Sequence, residues 1–454
     1  MIRHEDFQQI SRELFKGLDT NLILTLNLTA EETDFSRWND SRVRQTGTVS
    51  DRSLSLSLMQ VEKEAGALRL RRSEKVVSLS GDFQQDINDL KANLSDLSKE
   101  VSELPVDPFL TVPENFGSSR KVFNGKLPED TGAALGKIFA SSPNAPLTGI
   151  FSSGRMIRAN SSSLGQDHWF ETDLSHFDFS LVKSDPQGQA RAVKLDWAGG
   201  IFDPLAVQAE IHEAAQKMDL MMRPKKKIRP GAYRTYLTAA SVAEITGMIA
   251  GIFGESAVRK MGSPARLLRS GEALLSEKVT IHEDLSMGSV PVFNFAGEKG
   301  HDLTTVVRSG RFSESLVSRS SATEFGILSN AAAESEAIRA VRLEGGSLFE
   351  KDAIAKLGEG LYLSNLHYLN YSDFSAGRLT GMTRYACFWV ENGKLSAPIE
   401  DLRWDDSIFR FLGSELEDLT REVRFLPNGS TYEFRQLGGA HVPGALLKSF
   451  QYVL

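Results

Sequence analysis

Two hydrophobic periods alternate along the chain. Phe7, Ile10, Leu14 and Phe15 recur at helical spacing and predict an opening helix over 5–18. In 22–28 and 54–58 leucine falls at every second position, the mark of strands with one buried face. Ile87, Leu90, Leu94, Leu97, Val101 and Leu104 step by three and four and predict a helix over 82–104. Its seam has coiled-coil spacing but reads as packing within its own domain. Pro105, Pro108 and Pro113 punctuate the exit from that helix. A helix is expected over 129–141 and another over 204–222, with Leu205, Ile211, Ala215 and Met218 on one face; 146–202 between them is strand-like. Residues 223–229 hold five cations in seven positions and read as a solvated boundary linker. A strand over 233–237 and a helix over 239–253 follow. Beyond them come β-rich runs at 290–293, 361–363 and 386–390, separated by glycine turns. The expected fold class is α+β: an N-terminal α/β region and a mainly antiparallel C-terminal region, divided at 1–105, 106–224 and 225–454.

Composition narrows the function. The chain has 454 residues, with 52 Lys+Arg against 59 Asp+Glu, a net charge of −7. That sign argues against a protein that coats nucleic acid. One cysteine, Cys387, makes neither an internal disulfide nor a cysteine zinc cluster. No signal-peptide pattern is seen. The longest apolar stretch, Ile245 to Phe253, is nine residues, against ~20 for a membrane span. The expected location is the cytoplasm, with no membrane partner.

Catalytic motifs nearly form and then fail. Gly254-Glu255-Ser256-Ala257-Val258 lacks the last glycine of a nucleophile elbow. Gly132 to Ile138 is one residue short of a phosphate loop, and Gly358-Glu359-Gly360 lacks the third glycine of a dinucleotide fingerprint. His212-Glu213 opens like a zincin helix, but Gln216 stands where the second imidazole belongs. His282-Glu283-Asp284 and His301-Asp302 are neighbours in strand or turn context, and strand neighbours point to opposite faces. Asp405 and Asp406 fit a turn better than a catalytic pair. Cys387, within an apolar run, reads as a buried small residue rather than a nucleophile.

Four segments resemble the TldD/PmbA family of bacterial and archaeal peptidases. Arg37-Trp38-Asn39-Asp40-Ser41-Arg42-Val43-Arg44-Gln45 is similar to its strand before the first hairpin, and Pro230 to Leu237 to its G-x-Y-x-V-V-L strand. Val279-Thr280-Ile281-His282-Glu283-Asp284 resembles V-T-I-x-D-D. The most specific segment, Phe388-Trp389-Val390-Glu391-Asn392-Gly393-Lys394-Leu395 with Pro398-Ile399, resembles a hairpin carrying I-E-N-G. Where the family often has D-D-E-G, this chain reads Phe293-Asn294-Phe295-Ala296-Gly297-Glu298.

The resemblance implies long curved sheets in the C-terminal region and two related subunits closed around a cavity that admits unfolded peptide. One branch of the family carries zinc on a helix with H-E-x-x-x-H and a cysteine near the C-terminus. The other branch, PmbA or TldE, lacks the site. Counting back from Arg259-Lys260-Met261-Gly262-Ser263 puts the six motif positions on Thr246, Gly247, Met248, Ile249, Ala250 and Gly251. None is a zinc ligand, and there is no cysteine from Phe411 onward. The expectation is a non-catalytic subunit of a metalloprotease for peptide maturation or degradation. It would have no catalytic or metal residue of its own, with zinc in a TldD-like partner of a heterodimer. Two alternatives stay open: a peptide-binding homodimer or other homo-oligomer without catalysis, and a hydrolase with a site around His282, Glu283 and His301.

Overall fold

The computed structural model describes residues 1–64, 66–140, 146–431 and 434–453. The N-terminal elements are α1 (His4–Phe15), β1 (Leu22–Asn39), β2 (Arg42–Glu64), β3 (Ala67–Ser78), α2 (Phe83–Glu103), β4 (Ser118–Phe123), α3 (Thr131–Ala140), β5 (Leu147–Ser162), β6 (Asp167–Ser184), β7 (Ala190–Gly199) and α4 (Pro204–Met221). The C-terminal region opens with β8 (Gly231–Leu237) and α5 (Ala239–Ile249). The helix expected over 129–141 ends in the structure at Ala140; position 141 lies outside the described residues.

Seven strands make the first sheet, in the order β3-β2-β1-β5-β6, with β4 and β7 following one another along the outer edge of β6. Only the β4–β6 pairing is parallel. The pairing of β1 with β5 carries this sheet across both sides of residue 105. Asp40 and Ser41, both at positive φ (53° and 52°), close the β1–β2 hairpin, the backbone that a two-residue turn between twisted strands requires.

The sheet is two-faced because its residues alternate. Leu24, Leu26, Leu28, Leu54, Leu56 and Leu58 point to one face, where α1 and α2 cover them. Asp82 caps α2 by accepting from Gln85 N (2.9 Å), and Ile87, Leu90, Leu97 and Val101 are buried against β2 and β3. Farther along the same face, Phe151, Phe177, Phe179 and Leu181 are covered by α3 and α4. In α4 the buried stripe is Val207, Ile211, Ala214, Met218 and Met221. Leu205, expected on that stripe, is 74% exposed: Asp203 caps the helix, and the first turn faces outward. The opposite face of the sheet is polar and looks toward the C-terminal region.

The C-terminal region holds a 13-stranded, mostly antiparallel sheet system. Its hub is the closing strand, Gly439–Tyr452, which pairs with β8 and with strands Ala340–Leu343, Arg403–Ser407 and Leu416–Pro427. Trp404, Phe411, Phe450 and Tyr452 stack beneath it, fully buried. Asn392 and Gly393 (φ 50° and 69°) turn the hairpin between Phe388–Glu391 and Lys394–Pro398. Three expectations are corrected. The run 290–293 is buried but not a strand. Asp405 and Asp406 lie on a strand rather than in a turn. The basic run 223–229 is no free linker: Arg223 donates to Ser396 O (2.9 Å), Lys226 N to Pro398 O (2.7 Å), and the Lys226 ammonium sits 4.1 Å from the Trp389 ring centre.

Glu255 in the near-miss elbow is fully buried, and it pins this region electrostatically. It accepts from Arg259 Nε (2.5 Å), from Arg269 Nη2 (2.5 Å) and from the Ser315 hydroxyl. Burial opposes its charge, but these bonds win and hold the carboxyl at about 2. Its stabilising effect is therefore complete above the ordinary value of 4.5 and is lost as pH falls toward 2. Glu255→Gln is expected to cost about 3 kcal/mol in urea unfolding at pH 7, and the gap from wild type should close as pH approaches 2. Cys387 is 4% exposed with its Sγ donating to Arg384 O (3.2 Å), and burial raises the thiol above its ordinary value. Alkylation in native buffer should be far slower than in denaturant; equal rates would contradict this burial.

Candidate functional site

The polar face of the first sheet meets the C-terminal region along a seam that is part contact, part hollow. Asn160 Nδ2 donates to Phe295 O and Gln166 Nε2 to Ala296 O, each at 3.0 Å. Gly297 makes that approach possible: φ is +85°, and a Cβ there would lie 2.1 Å from Gln166 Nε2. Arg435 inserts from the other side, its main-chain N–H donating to Glu31 (2.8 Å), Nη1 to Thr33 (3.3 Å) and Nη2 to Leu174 O (3.0 Å). Between these clasps lie three cavities of about 400, 550 and 690 Å³. They adjoin: the first two share Gln436 and Leu437, and the second and third share Ile338, Arg339 and Asn428.

The largest cavity is bounded by α5. Thr238 caps this helix, and Val242, Ile245, Thr246 and Ile249 are buried on its inner side. Ala240, Ala243, Glu244, Gly247 and Met248 line the cavity. Of the six positions singled out from sequence, Gly247, Met248 and Ala250 line the cavity, whereas Thr246 is buried with its hydroxyl donating to Ala243 O (3.0 Å) and Gly251 lies in the turn beyond the helix. A helix shows one face per turn, so 246 and 251 do not share the cavity with 247.

Opposite α5, β6 and β7 contribute His176, Asp178, Lys194 and Asp196. His176 Nε2 lies 3.4 Å from Asp196, and the Lys194 ammonium donates to Asp178. His176, Asp178 and Asp196 can each turn one ligand atom within 4.8 Å of the others. Lys194 already supplies one positive charge there against the two carboxylates. Partial enclosure raises the Glu244 carboxyl above its ordinary value, with Lys194 opposing. Alternation is the signal that could have found this wall: polar 176 and 178 are interleaved with Phe177 and Phe179.

The third wall is the strand Asn365–Asp373, which pairs with Arg378–Arg384 alone among the described strands. Asn365, His367, Tyr368 and Leu369 face the cavity. The ladder is broken between His367 and Asn370, where Tyr368 takes φ 52° and stands 78% exposed. Left-handed backbone at an aromatic residue is uncommon and marks a site held by its surroundings.

The remaining sequence candidates are spoken for or apart. His282 lies between Thr305 Oγ1 and Glu344, both at 3.0 Å, while Glu283 pairs with Arg339 and Asp284 with Arg342. His301 is exposed in a loop. His212 is exposed and meets Gln216 at 2.9 Å. Asp405 pairs with Arg378 and Asp406 with Arg410. Among the described residues, no helix is long and apolar enough to cross a membrane.

A search of curated protein sequences finds no match. Solved structures do match. A proposed modulator of DNA gyrase from Thermotoga maritima is 14% identical with a TM-score of 0.76, covering 98% of this chain and 100% of its own. TldE from Thermococcus kodakarensis is 13% identical with a TM-score of 0.73, covering 99% and 100%. A second proposed gyrase modulator, from Bacteroides thetaiotaomicron, is 13% identical with a TM-score of 0.75, covering 99% and 98%. At such identities the likeness establishes the fold, with its large antiparallel sheets. Residues 230–453, which carry α5, the edge strand and the closing strand, match the family model described as the PmbA/TldA metallopeptidase C-terminal domain, and this stretch of the chain belongs to the TldD/PmbA family.

Proposed function

We propose that this chain is the subunit of a TldD-like peptidase that holds peptide and shapes the chamber, while a partner subunit carries the zinc. The observation that carries this reading is the face α5 turns to the largest cavity. A six-residue pattern whose first, second and sixth members share that face fits α5 at Ala243, Glu244 and Met248. In that register both imidazoles of H-E-x-x-x-H are replaced by apolar side chains and only the glutamate remains. One carboxylate on a helix does not make a zinc site, which needs three or four protein donors. Zinc, where the partner supplies it, activates water for peptide hydrolysis.

What this chain does is bind. An extended peptide can add to the unpaired edge of Asn365–Asp373, where main-chain hydrogen bonds give affinity and the flanking hollows select side chains. Glu244, Lys194 and the His176–Asp196 pair would then border the bound chain. Occupied bonding at His282 and Glu283 and exposure of His301 weigh against a hydrolase centred on them.

A peptidase assay on four samples tests the reading: each chain alone, the pair, and the pair with the partner's H-E-x-x-x-H destroyed. Only the intact pair is expected to cleave unfolded peptide. Glu244→Gln in this chain should leave the pair's rate within about twofold, since no proton transfer is assigned to it. Chelator-insensitive cleavage by this chain alone, abolished by Glu244→Gln, would overturn the proposal.

A further inference from the structure

The cavity of about 550 Å³ between β1, β5 and the loops around 290–295 and 434–437 has a different chemistry from its neighbour. Its walls are largely apolar, with Val290, Phe293, Phe295, Ile338, Phe434 and Leu437. Among the described residues, no Asp or Glu lines it, but two arginines do. Arg339 is spent: Nε and Nη2 grip Glu283 at 3.0 and 3.1 Å, and Nη1 donates to Phe293 O at 3.2 Å.

Arg158 is not spent. It projects from β5 on the polar face, opposite Thr29 of β1. Among the described residues its hydrogen-bond acceptor is Ile157 O, 2.9 Å from Nη1. A guanidinium has five N–H donors, and an ionised one in a partly apolar enclosure needs an anion. Behind it stands Arg435, 7% exposed, whose bonds go to a hydroxyl and a carbonyl. Among the described residues, the one carboxylate felt by both is Glu31, which itself accepts from the Arg435 main chain and is raised by its burial. Burial brings each arginine down to about 10, with Glu31 opposing. Among the described residues, two enclosed cations thus share one acid, and the open donors belong to the guanidinium that lines the cavity.

We propose that this cavity binds a carboxylate carried on an apolar or aromatic group, with the Arg158 guanidinium taking the carboxylate and Phe293, Phe295 and Phe434 enclosing the rest. Guanidinium and carboxylate match as a two-point fork, and an apolar pocket with a few convergent polar groups is the usual form of a ligand site. The peptide-handling reading supplies the source: the C-terminal residue of a bound peptide. Because this cavity adjoins the larger one at Ile338, Arg339 and Asn428, a chain anchored at Arg158 would run from there toward α5. Its direction in the chamber is thereby set.

The test is calorimetric titration of the full chain, without partner, with three probes: a pentapeptide ending in Phe, the same peptide amidated, and 3-phenylpropanoate. The free acid is expected to bind at least about tenfold more tightly than the amide, the difference one charge-assisted fork supplies. Arg158→Gln should erase that preference, bringing the acid's affinity down to that of the amide. Binding of the peptide acid but not of 3-phenylpropanoate supports a peptide C-terminus; the reverse supports the site but assigns it to a small free acid. Equal binding of acid and amide by the wild-type chain, or no binding of any probe, would overturn the proposal without recourse to a variant. So would a preference retained in Arg158→Gln. Because no partner and no cleavage enter the measurement, failure of the peptidase assay leaves this result standing, and the converse holds.

Discussion

Everything in this structure follows from one obligation: the polar face of the first sheet is covered by another layer and must find partners there. A strand that alternates Leu24, Leu26, Leu28 and Ala30 with Thr25, Asn27, Thr29 and Glu31 can bury its apolar side under helices at no polar cost. The other side is different. Each covered donor or acceptor left unmet costs about 1–3 kcal/mol, so the C-terminal region presents carbonyls and one long cation beside the apolar cluster of Leu285, Val290, Val292 and Phe293 that packs on Phe170. Phe295 O, Ala296 O and the Arg435 side chain are those presentations. Where they end, the layers do not close, because the polar positions there cannot be satisfied by apolar packing. Hollows along the seam are therefore a direct result of the sheet's alternation.

Much of the architecture was legible for the same reason. Period-two leucines located β1 and β2, and the three-and-four spacing from Ile87 to Val101 located α2, since each pattern has one physical solution in a half-buried element. The hairpin at Asn392-Gly393, which the family resemblance implied, closes because both residues tolerate positive φ. What could not be read was which surface meets which. The pairing of Leu28 with Ala159 joins distant segments, and nothing local encodes it. The basic run 223–229 has the composition of a solvated linker, yet the Lys226 ammonium gains from lying over Trp389, a residue far along the chain. Leu205 was misassigned because a helix's first turn, capped by Asp203, projects from the layer that buries its later turns.

The site was less legible still, and α5 explains why. Its cavity face carries Ala240, Ala243, Gly247 and Met248, while its buried face carries Val242, Ile245, Thr246 and Ile249. Small and apolar residues lie on both sides, so hydrophobicity does not mark which side faces the hollow. A register counted from a downstream landmark then has no independent check. The packing provides one, since only residues spaced by three and four share a face, and it singles out Glu244 as the one charged group on the cavity side. On β6 the reverse holds: His176 and Asp178 alternate with phenylalanines, so their common side was in the sequence, but nothing local showed that this side would be roofed.

The two larger cavities also differ in sign, and that difference has a consequence for any chain lying across them. One is bordered by Asp178, Asp196 and Glu244 with Lys194 among them, the other by Arg158 without an acid among the described residues. An extended peptide is itself polar end to end, ammonium at one terminus and carboxylate at the other. In a partly enclosed channel the local dielectric is well below that of water, so a mismatch of terminus and wall costs more than it would at a surface. A chain inserted with its carboxylate among the acids would meet repulsion and leave Arg158 unpaired. The opposite insertion satisfies both walls. Charge placed on the seam can thus orient a bound chain without recognising any of its side chains.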